Sequence, residues 1–213
     1  MKKMMLSIVV ALSVSACSML GPKPHTAYTR PDVQRPIEKL VVFPVTNFQG
    51  VQDTNAKQME ASFTGKWTEM YGKENIVPAG PVVFQLMDKF GKDTYGEFIK
   101  TLDNVSAVEQ LHKNPKFRQF ISQVTGKLGN YHFALAIVDG SKETYDQKNP
   151  VNLHIGVFDS TNLTWKWITK IQDKKGMWGN WEAASQLMVN NSFDLIKKLE
   201  ASPKRDIANT KTK

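Results

Sequence analysis

The sequence predicts an α/β (α+β) fold: a mixed sheet with a parallel crossover near its start and an antiparallel hairpin near its end, with helices packed on the sheet. Three observations carry this. Residues 39–44 and 131–138 are near-continuous apolar runs, the pattern of strands buried on both faces. Residues 151–158 and 163–171 alternate apolar with polar, the pattern of strands with one buried face. Between the first two runs, apolar residues recur at three- and four-residue spacing, which makes a buried stripe along a helix.

The chain has 213 residues and one cysteine, and its first seventeen residues set its expected location. Lys2 and Lys3 form a positive start, residues 4–14 a short apolar core, and Val14-Ser15-Ala16 leads to Cys17. This is the anatomy of a bacterial lipoprotein signal peptide, with cleavage before Cys17 and a diacylglycerol on its thiol. The apolar run is too short for a permanent membrane-spanning helix. Residues 1–16 are therefore read as signal peptide and Cys17 as the lipidation site. Once lipidated, Cys17 is unavailable for a disulfide, a metal or catalysis. Ser18 stands where an aspartate would signal retention in the inner membrane, so the periplasmic face of the outer membrane is the expected location.

Residues 17–37 read as the lipidated N-terminus and a flexible tether. Pro22, Pro24, Pro31 and Pro36 fall there, with little apolar periodicity. Residues 18–36 reach at most about 65 Å. Residues 38–200 form a single α/β domain, large enough to bury roughly two thirds of the unfolded chain's surface. Residues 201–213 form a polar tail. The formal charge is +8, and losing Lys2 and Lys3 leaves 26 Lys plus Arg against 20 Asp plus Glu, or +6. The lysines are spread rather than clustered, and with an extracytoplasmic location this argues against nucleic acid as a partner.

The domain opens on the 39–44 strand, which Pro44 ends and which is expected at the centre of the sheet. Asp53 is placed to cap a helix whose apolar face is Ala56, Met59, Phe63, Trp67 and Met70, with Gly72 closing it. Residues 75–78 make a second strand, so strand, helix and strand form a parallel crossover. Gly80-Pro81 starts a helix over 82–90, with proline in its first turn. Three shorter helices follow. One carries Tyr95, Phe98, Ile99 and Leu102; one runs from a Ser106 cap to Leu111; one starts at Asn114-Pro115 and carries Phe117, Phe120, Ile121, Val124 and Leu128. Aromatic spacing of this kind reads as core packing rather than a ligand box.

After the 131–138 strand, residues 159–162 (Asp-Ser-Thr-Asn) form the turn of the hairpin. In it Leu163, Trp165, Trp167 and Ile171 are expected on the buried face. A final helix is expected over 180–199. Before it lies Gly176-Met177-Trp178-Gly179-Asn180-Trp181, where Met177, Trp178 and Trp181 are candidates for a partner surface, because tryptophan and methionine are enriched where proteins bind. The competing reading, which weighs more, is that the tryptophans fold back onto the domain as a hydrophobic staple does.

Lys39-Leu-Val-Val-Phe-Pro44-Val45-Thr46-Asn47-Phe48-Gln49-Gly50 resembles the opening of periplasmic domains of the TolB N-terminal type. Phe158-Asp159-Ser-Thr161-Asn162-Leu-Thr-Trp165 resembles their second signature, although Val45 and Asn162 replace the usual phenylalanine and glycine. Lipoproteins of this kind include the curli secretion channel CsgG and the penicillin-binding-protein activator LpoB. The resemblance implies the same fold and a lipid-anchored protein of the cell envelope.

Enzymatic patterns are lacking in the sequence. There is no glycine-rich phosphate loop and no Gly-x-Ser-x-Gly nucleophile elbow. His25, His112, His132 and His154 show no metal-ligand spacing, although His132 and His154 could meet on neighbouring strands. No catalytic residue, cofactor or metal is expected. The leading expectation is a non-enzymatic interaction module that regulates or scaffolds an envelope machine, with a peptidoglycan synthase as the partner the resemblance implies. The tether is short for reaching an inner-membrane enzyme. The alternative is a subunit of an oligomeric outer-membrane secretion or transport assembly, in which the chain would associate with copies of itself. An envelope hydrolase ranks last.

Overall fold

A computed structural model describes residues 23–30, 36–140, 150–173 and 181–201. Its strands are β1 (His25–Thr29), β2 (Leu40–Val42), β3 (Ile76–Pro78), β4 (His132–Asp139), β5 (Val151–Asp159) and β6 (Thr164–Asp173). Its helices are α1 (Thr54–Tyr71), α2 (Gly80–Phe90), α3 (Lys92–Lys100), α4 (Ala107–Leu111), α5 (Pro115–Leu128) and α6 (Trp181–Ala201), with a 3-10 turn at Lys73–Asn75. The six strands form one mixed sheet in the order β1-β6-β5-β4-β2-β3.

Local signals set the helix ends. The Asp53 side chain accepts a 2.9 Å hydrogen bond from the Ala56 amide, satisfying a donor that the first turn of α1 leaves open. Gly72, at φ +83°, closes α1, and its own amide donates to the Thr68 carbonyl. Asn114 caps α5 through the Lys116 amide, with Pro115 in the first turn. β2, α1 and β3 form the expected parallel crossover, with Leu40 opposite Ile76. β2 is interior, but it lies one strand from the edge rather than at the centre of the sheet. Beyond Pro44 the chain keeps to the side of β4: the Val138 amide donates to the Thr46 carbonyl at 3.0 Å.

Helices cover both faces of the sheet. On one face α1 and α6 pack Ala56, Met59, Phe63, Trp67, Met188 and Phe193 against Leu40, Val42, Ala136, Ile155, Val157 and Trp167. On the other, α2 to α5 pack Val83, Phe98, Leu111, Phe117 and Phe120 against Val41, Phe43, Phe133, Phe158 and Trp165. The hairpin strands therefore depart from the half-exposed pattern their alternation implied. His154 and Gly156, expected on a wetter face, are buried beneath the α2–α5 layer. Polar residues on a strand do not make its face wet when other elements supply the cover.

The two tryptophans of β6 depart from expectation in a second way. In strict alternation Trp165 and Trp167 share a face. The register instead places Trp167 opposite Val157 and Trp165 opposite Phe158, leaving Lys166 as an extra residue in a β-bulge. The bulge turns Trp165 toward α2–α5 and Trp167 toward α1 and α6.

A third difference concerns the stretch expected as flexible tether. His25–Thr29 within it is a strand, antiparallel to β6, with His25 opposite Lys170 and Thr29 opposite Trp167. Its proline-rich surroundings obscured this. An edge strand needs only backbone partners and one apolar anchor, here Tyr28, which packs against the α2–α5 layer.

Gly156 carries a testable consequence of the close packing. A Cβ at this position would lie 2.5 Å from Leu102 Cδ2 and 2.7 Å from Trp165 Cζ3. Gly156→Ala is expected to cost about 1–3 kcal/mol through overpacking, read by urea denaturation. An exposed change such as Gly65→Ala in α1, where nothing lies within 4 Å, should not lower stability.

Candidate functional site

Of the candidate residues from sequence, Cys17, Met177 and Trp178 lie outside the described residues. Trp181 is described, and it opens α6 on the buried stripe that continues through Ala184, Ser185, Met188, Val189, Ser192, Phe193 and Ile196. It is 3% exposed and belongs to the core between α1, α6 and the sheet. Trp181 is therefore part of the domain core rather than of its exposed surface. Its spacing to Ala184 and Met188 puts it on the core stripe.

Among the described residues, two clusters of polar side chains pair a histidine with an aspartate. In the first, His154 on β5 lies beneath the α3–α4 connection. Its Nδ1 is 3.9 Å from Asp103 Oδ1, and the same carboxylate oxygen accepts a 2.6 Å hydrogen bond from Lys170 Nζ. Cross-strand register explains the meeting, because His154 stands opposite Lys170 on β6, and Lys170 opposite His25 on β1. Phe48 covers the imidazole edge-on at 5.4 Å. The loop carrying Phe48 is shaped by Asn47, whose Oδ1 accepts from the Gln49 and Val51 amides, and by Gly50 at φ +74°.

Burial pulls His154 down from its ordinary 6.5 to about 4; Lys170 and His25 add to the shift, while Asp103 and Asp139 oppose it. Asp103 is held below the usual carboxylate range, chiefly by the hydrogen bond from Lys170. The cluster thus pairs a neutral imidazole with an ammonium-carboxylate ion pair. A base held so far below neutrality is a weak proton acceptor.

In the second place, His132 on β4 faces Asp159 on β5, with Nε2 4.0 Å from Oδ2 and both side chains buried. Asp159 also organises the hairpin turn, its Oδ1 accepting from the Thr161 and Asn162 amides and its Oδ2 from Asn162 Nδ2. Burial would raise its pKa, but these hydrogen bonds and the His132 charge outweigh burial and lower it. The turn reaches a left-handed backbone at Leu163, φ +51°, rather than at Asn162. His112 Nε2 meets the Leu163 carbonyl. His132 and His154 do not meet, because register places His132 opposite Asp159 and His154 opposite Ile137.

Among the described residues, no group of three or more His, Cys, Asp or Glu is arranged to hold a metal ion. A shallow cavity of about 260 Å³ lies between α2 and α5, lined by Lys89, Phe90, Gln119, Ser122 and Gln123. None of its lining residues belongs to either polar cluster.

The sequence had offered His154 as a polar residue of the hairpin and as a possible neighbour of His132, and had missed its actual partners. Register across the hairpin would have paired it with Lys170. Asp103 comes from the α3–α4 connection, whose path over the sheet leaves no mark in the local sequence.

No protein-family model and no curated protein matches the sequence. Among solved structures, the chain is similar to the PelC dodecamer from Paraburkholderia phytofirmans. The identity is 10% and the TM-score 0.46, over 85% of this chain and 99% of that one. A point variant of the same dodecamer gives 9% identity and a TM-score of 0.48 over the same shares.

Two expectations follow from this geometry. The folded pKa of His154 lies below the unfolded value, so its contribution is fully present above pH 6.5 and lost as pH falls from 6.5 to about 4. The loss is at most about 3 kcal/mol, and His154→Gln should flatten stability over that window in denaturation curves. The Asp159 contribution is present above the ordinary 3.8 and is lost at lower pH, in both proteins. Separately, Trp181→Ala should cost about 3–5 kcal/mol, the cost of emptying a packed aromatic site. A loss under 1 kcal/mol would return Trp181 to the surface.

Proposed function

We propose that this chain is a lipid-anchored, non-enzymatic interaction module on the periplasmic face of the outer membrane, regulating or scaffolding a protein machine of the cell envelope. The observation that carries the reading is the junction Val14-Ser15-Ala16-Cys17 behind a charged and then apolar segment. Lipid attachment fixes a protein at a surface, and each buried acyl methylene adds about 0.8 kcal/mol of membrane affinity. The polar clusters of the domain are consistent with the interaction role. His154 is neutral and covered by Phe48, while Asp103 and Lys170 are spent on each other.

The resemblance of residues 39–50 and 158–165 to TolB N-terminal-type domains favours an envelope protein as the partner, with a peptidoglycan synthase as the first candidate. The second reading, a subunit of an oligomeric assembly, predicts a large complex of one component.

Mass spectrometry of the membrane fraction tests the anchor: the mature N-terminus should be Cys17 carrying diacylglycerol, and Cys17→Ser should leave the membrane fraction. A Cys17→Ser protein that stays membrane-bound at the original level would overturn the reading. Cross-linking in the native envelope, followed by mild detergent extraction, tests the role. A defined complex with a second envelope protein supports the module, and a single-component ring supports the assembly subunit.

A further inference from the structure

Spread along the sequence, the basic residues are gathered unevenly by the fold. α1 and α6, which cover one face of the sheet, together carry five acids against four basic residues. On the other face, α5 carries Lys116, Arg118 and Lys127 and no acid, and residues 110–138 contain no aspartate or glutamate. Lys113 lies just before this helix. The helices α2 to α5 together hold six basic residues against four acids, so the surplus of that layer lies on α5.

Packing brings a further cation from α2. Lys89 lines the shallow cavity of about 260 Å³ together with Phe90 of its own helix and Gln119, Ser122 and Gln123 of α5. At the same seam Lys127 Nζ donates to Gln85 Oε1 of α2 at 3.4 Å. Along α5, Lys116, Gln119, Gln123 and Lys127 recur at three- and four-residue spacing, which sets them in one row about 16 Å long beside that seam. Phe90 is half-buried, and the polar side chains of the row and the cavity are exposed. Among the described residues, Lys89, Lys113, Lys116, Arg118 and Lys127 form no ion pair, whereas Lys66, Lys166 and Lys170 each meet a carboxylate. A cationic surface without internal neutralisation attracts an anionic partner.

We propose that the α5 side of the domain docks on the anionic phospholipid leaflet that holds the Cys17 anchor, with headgroup phosphates between Lys89 and the row that ends in Lys116 and Lys127. The proposal rests on lipidation of Cys17. The anchor keeps the leaflet close, because the chain enters β1 at His25, eight residues after Cys17, a reach of at most about 28 Å. That reach selects no face of the domain; the charge on α5 does. A leaflet rich in phosphatidylglycerol presents many phosphates at once, and each Lys or Arg beside such a surface strengthens attachment roughly fivefold. The α1 and α6 layer, with its surplus of acids, is disfavoured on the same leaflet.

The test uses the full-length lipidated protein in vesicles of phosphatidylethanolamine and phosphatidylglycerol carrying nitroxide headgroups. Lipidation consumes Cys17, so Gly126→Cys on α5 and Gly65→Cys on α1 each offer a single thiol for a fluorophore. Both positions are exposed, and a Cβ at either meets nothing within 4 Å. Quenching at position 126 is expected to exceed that at position 65 severalfold. The difference should vanish in vesicles of phosphatidylcholine alone, and also at high salt, where screening shortens to about 3 Å at about 1 M. Lys116→Gln, Arg118→Gln and Lys127→Gln combined keep the helix propensity of α5. They should lower the ratio of docked to undocked orientations about a hundredfold. Equal quenching at 126 and 65 in the lipidated protein on phosphatidylglycerol overturns the docking and leaves the anchor intact. So does a difference that survives both neutral lipid and high salt. A protein whose mass shows no diacylglycerol overturns both.

Discussion

One extra residue in β6 organises the molecule. The bulge at Lys166 sends Trp165 and Trp167, two residues apart, to opposite faces of the sheet. Trp165 stacks on Phe98 at 5.7 Å and meets Phe158 edge-on at 5.2 Å, while its Nε1 donates to Thr101 Oγ1 at 2.9 Å. Trp167 stacks on Trp67 of α1 at 6.2 Å, and its Nε1 donates to Glu200 near the end of α6. Lys166 bonds the same carboxylate at 3.0 Å. The bulge thus fastens each helical layer to the same strand. Removing a buried aromatic of this kind costs about 3–5 kcal/mol, a large share of a typical domain's 5–15 kcal/mol.

The same bulge explains why Gly156 has no side chain. Trp165 and Leu102 fill the space beside it on the α2–α5 face, and any Cβ would collide with both. Two buried polar groups, Thr101 and Asp159, obey a parallel economy. Thr101, fully buried, accepts from Trp165 and donates to the Phe98 carbonyl at 2.6 Å. Asp159, also fully buried, spends its oxygens on the turn that begins β6. In both, the hydrogen bonds offset the free energy that burying an unbonded polar group costs.

The fold class was legible because its signals are local. The continuous apolar run at Leu40, Val41 and Val42, the caps at Asp53 and Asn114, and the Asp159 turn each act within a few residues, and each appears where expected. What escaped depends on distance. The Lys166 bulge is decided by which residues β5 offers across the sheet, so alternation along β6 assigned Trp165 and Trp167 to one face. Cover over His154 comes from Phe48 and the α3–α4 connection, which strand pattern does not register. β1 was hidden because Pro24, Pro31 and the exposed His25, Thr26 and Ala27 outweigh the one apolar contact that Tyr28 makes. Of the candidate site, only Trp181 can be placed, and its helical spacing to Ala184 and Met188 already contained the answer.

Covering both faces of the sheet also limits where a partner can bind. Among the described residues, the broad apolar surfaces are consumed internally, leaving helix exteriors, loops and the two sheet edges. Edge strands expose backbone donors and acceptors that can template another strand. β3 offers little of this, since it has three residues and its last, Pro78, lacks an amide hydrogen. The β1 edge is interrupted between Thr26 and Tyr28, where the register with β6 shifts. A bulge twists an edge out of the flat form that strand addition prefers. Both edges are thus blunted, and the recognition expected of an interaction module falls to side chains on helices and loops, such as Phe84 on α2 and Val51 beside the Phe48 loop, which are exposed.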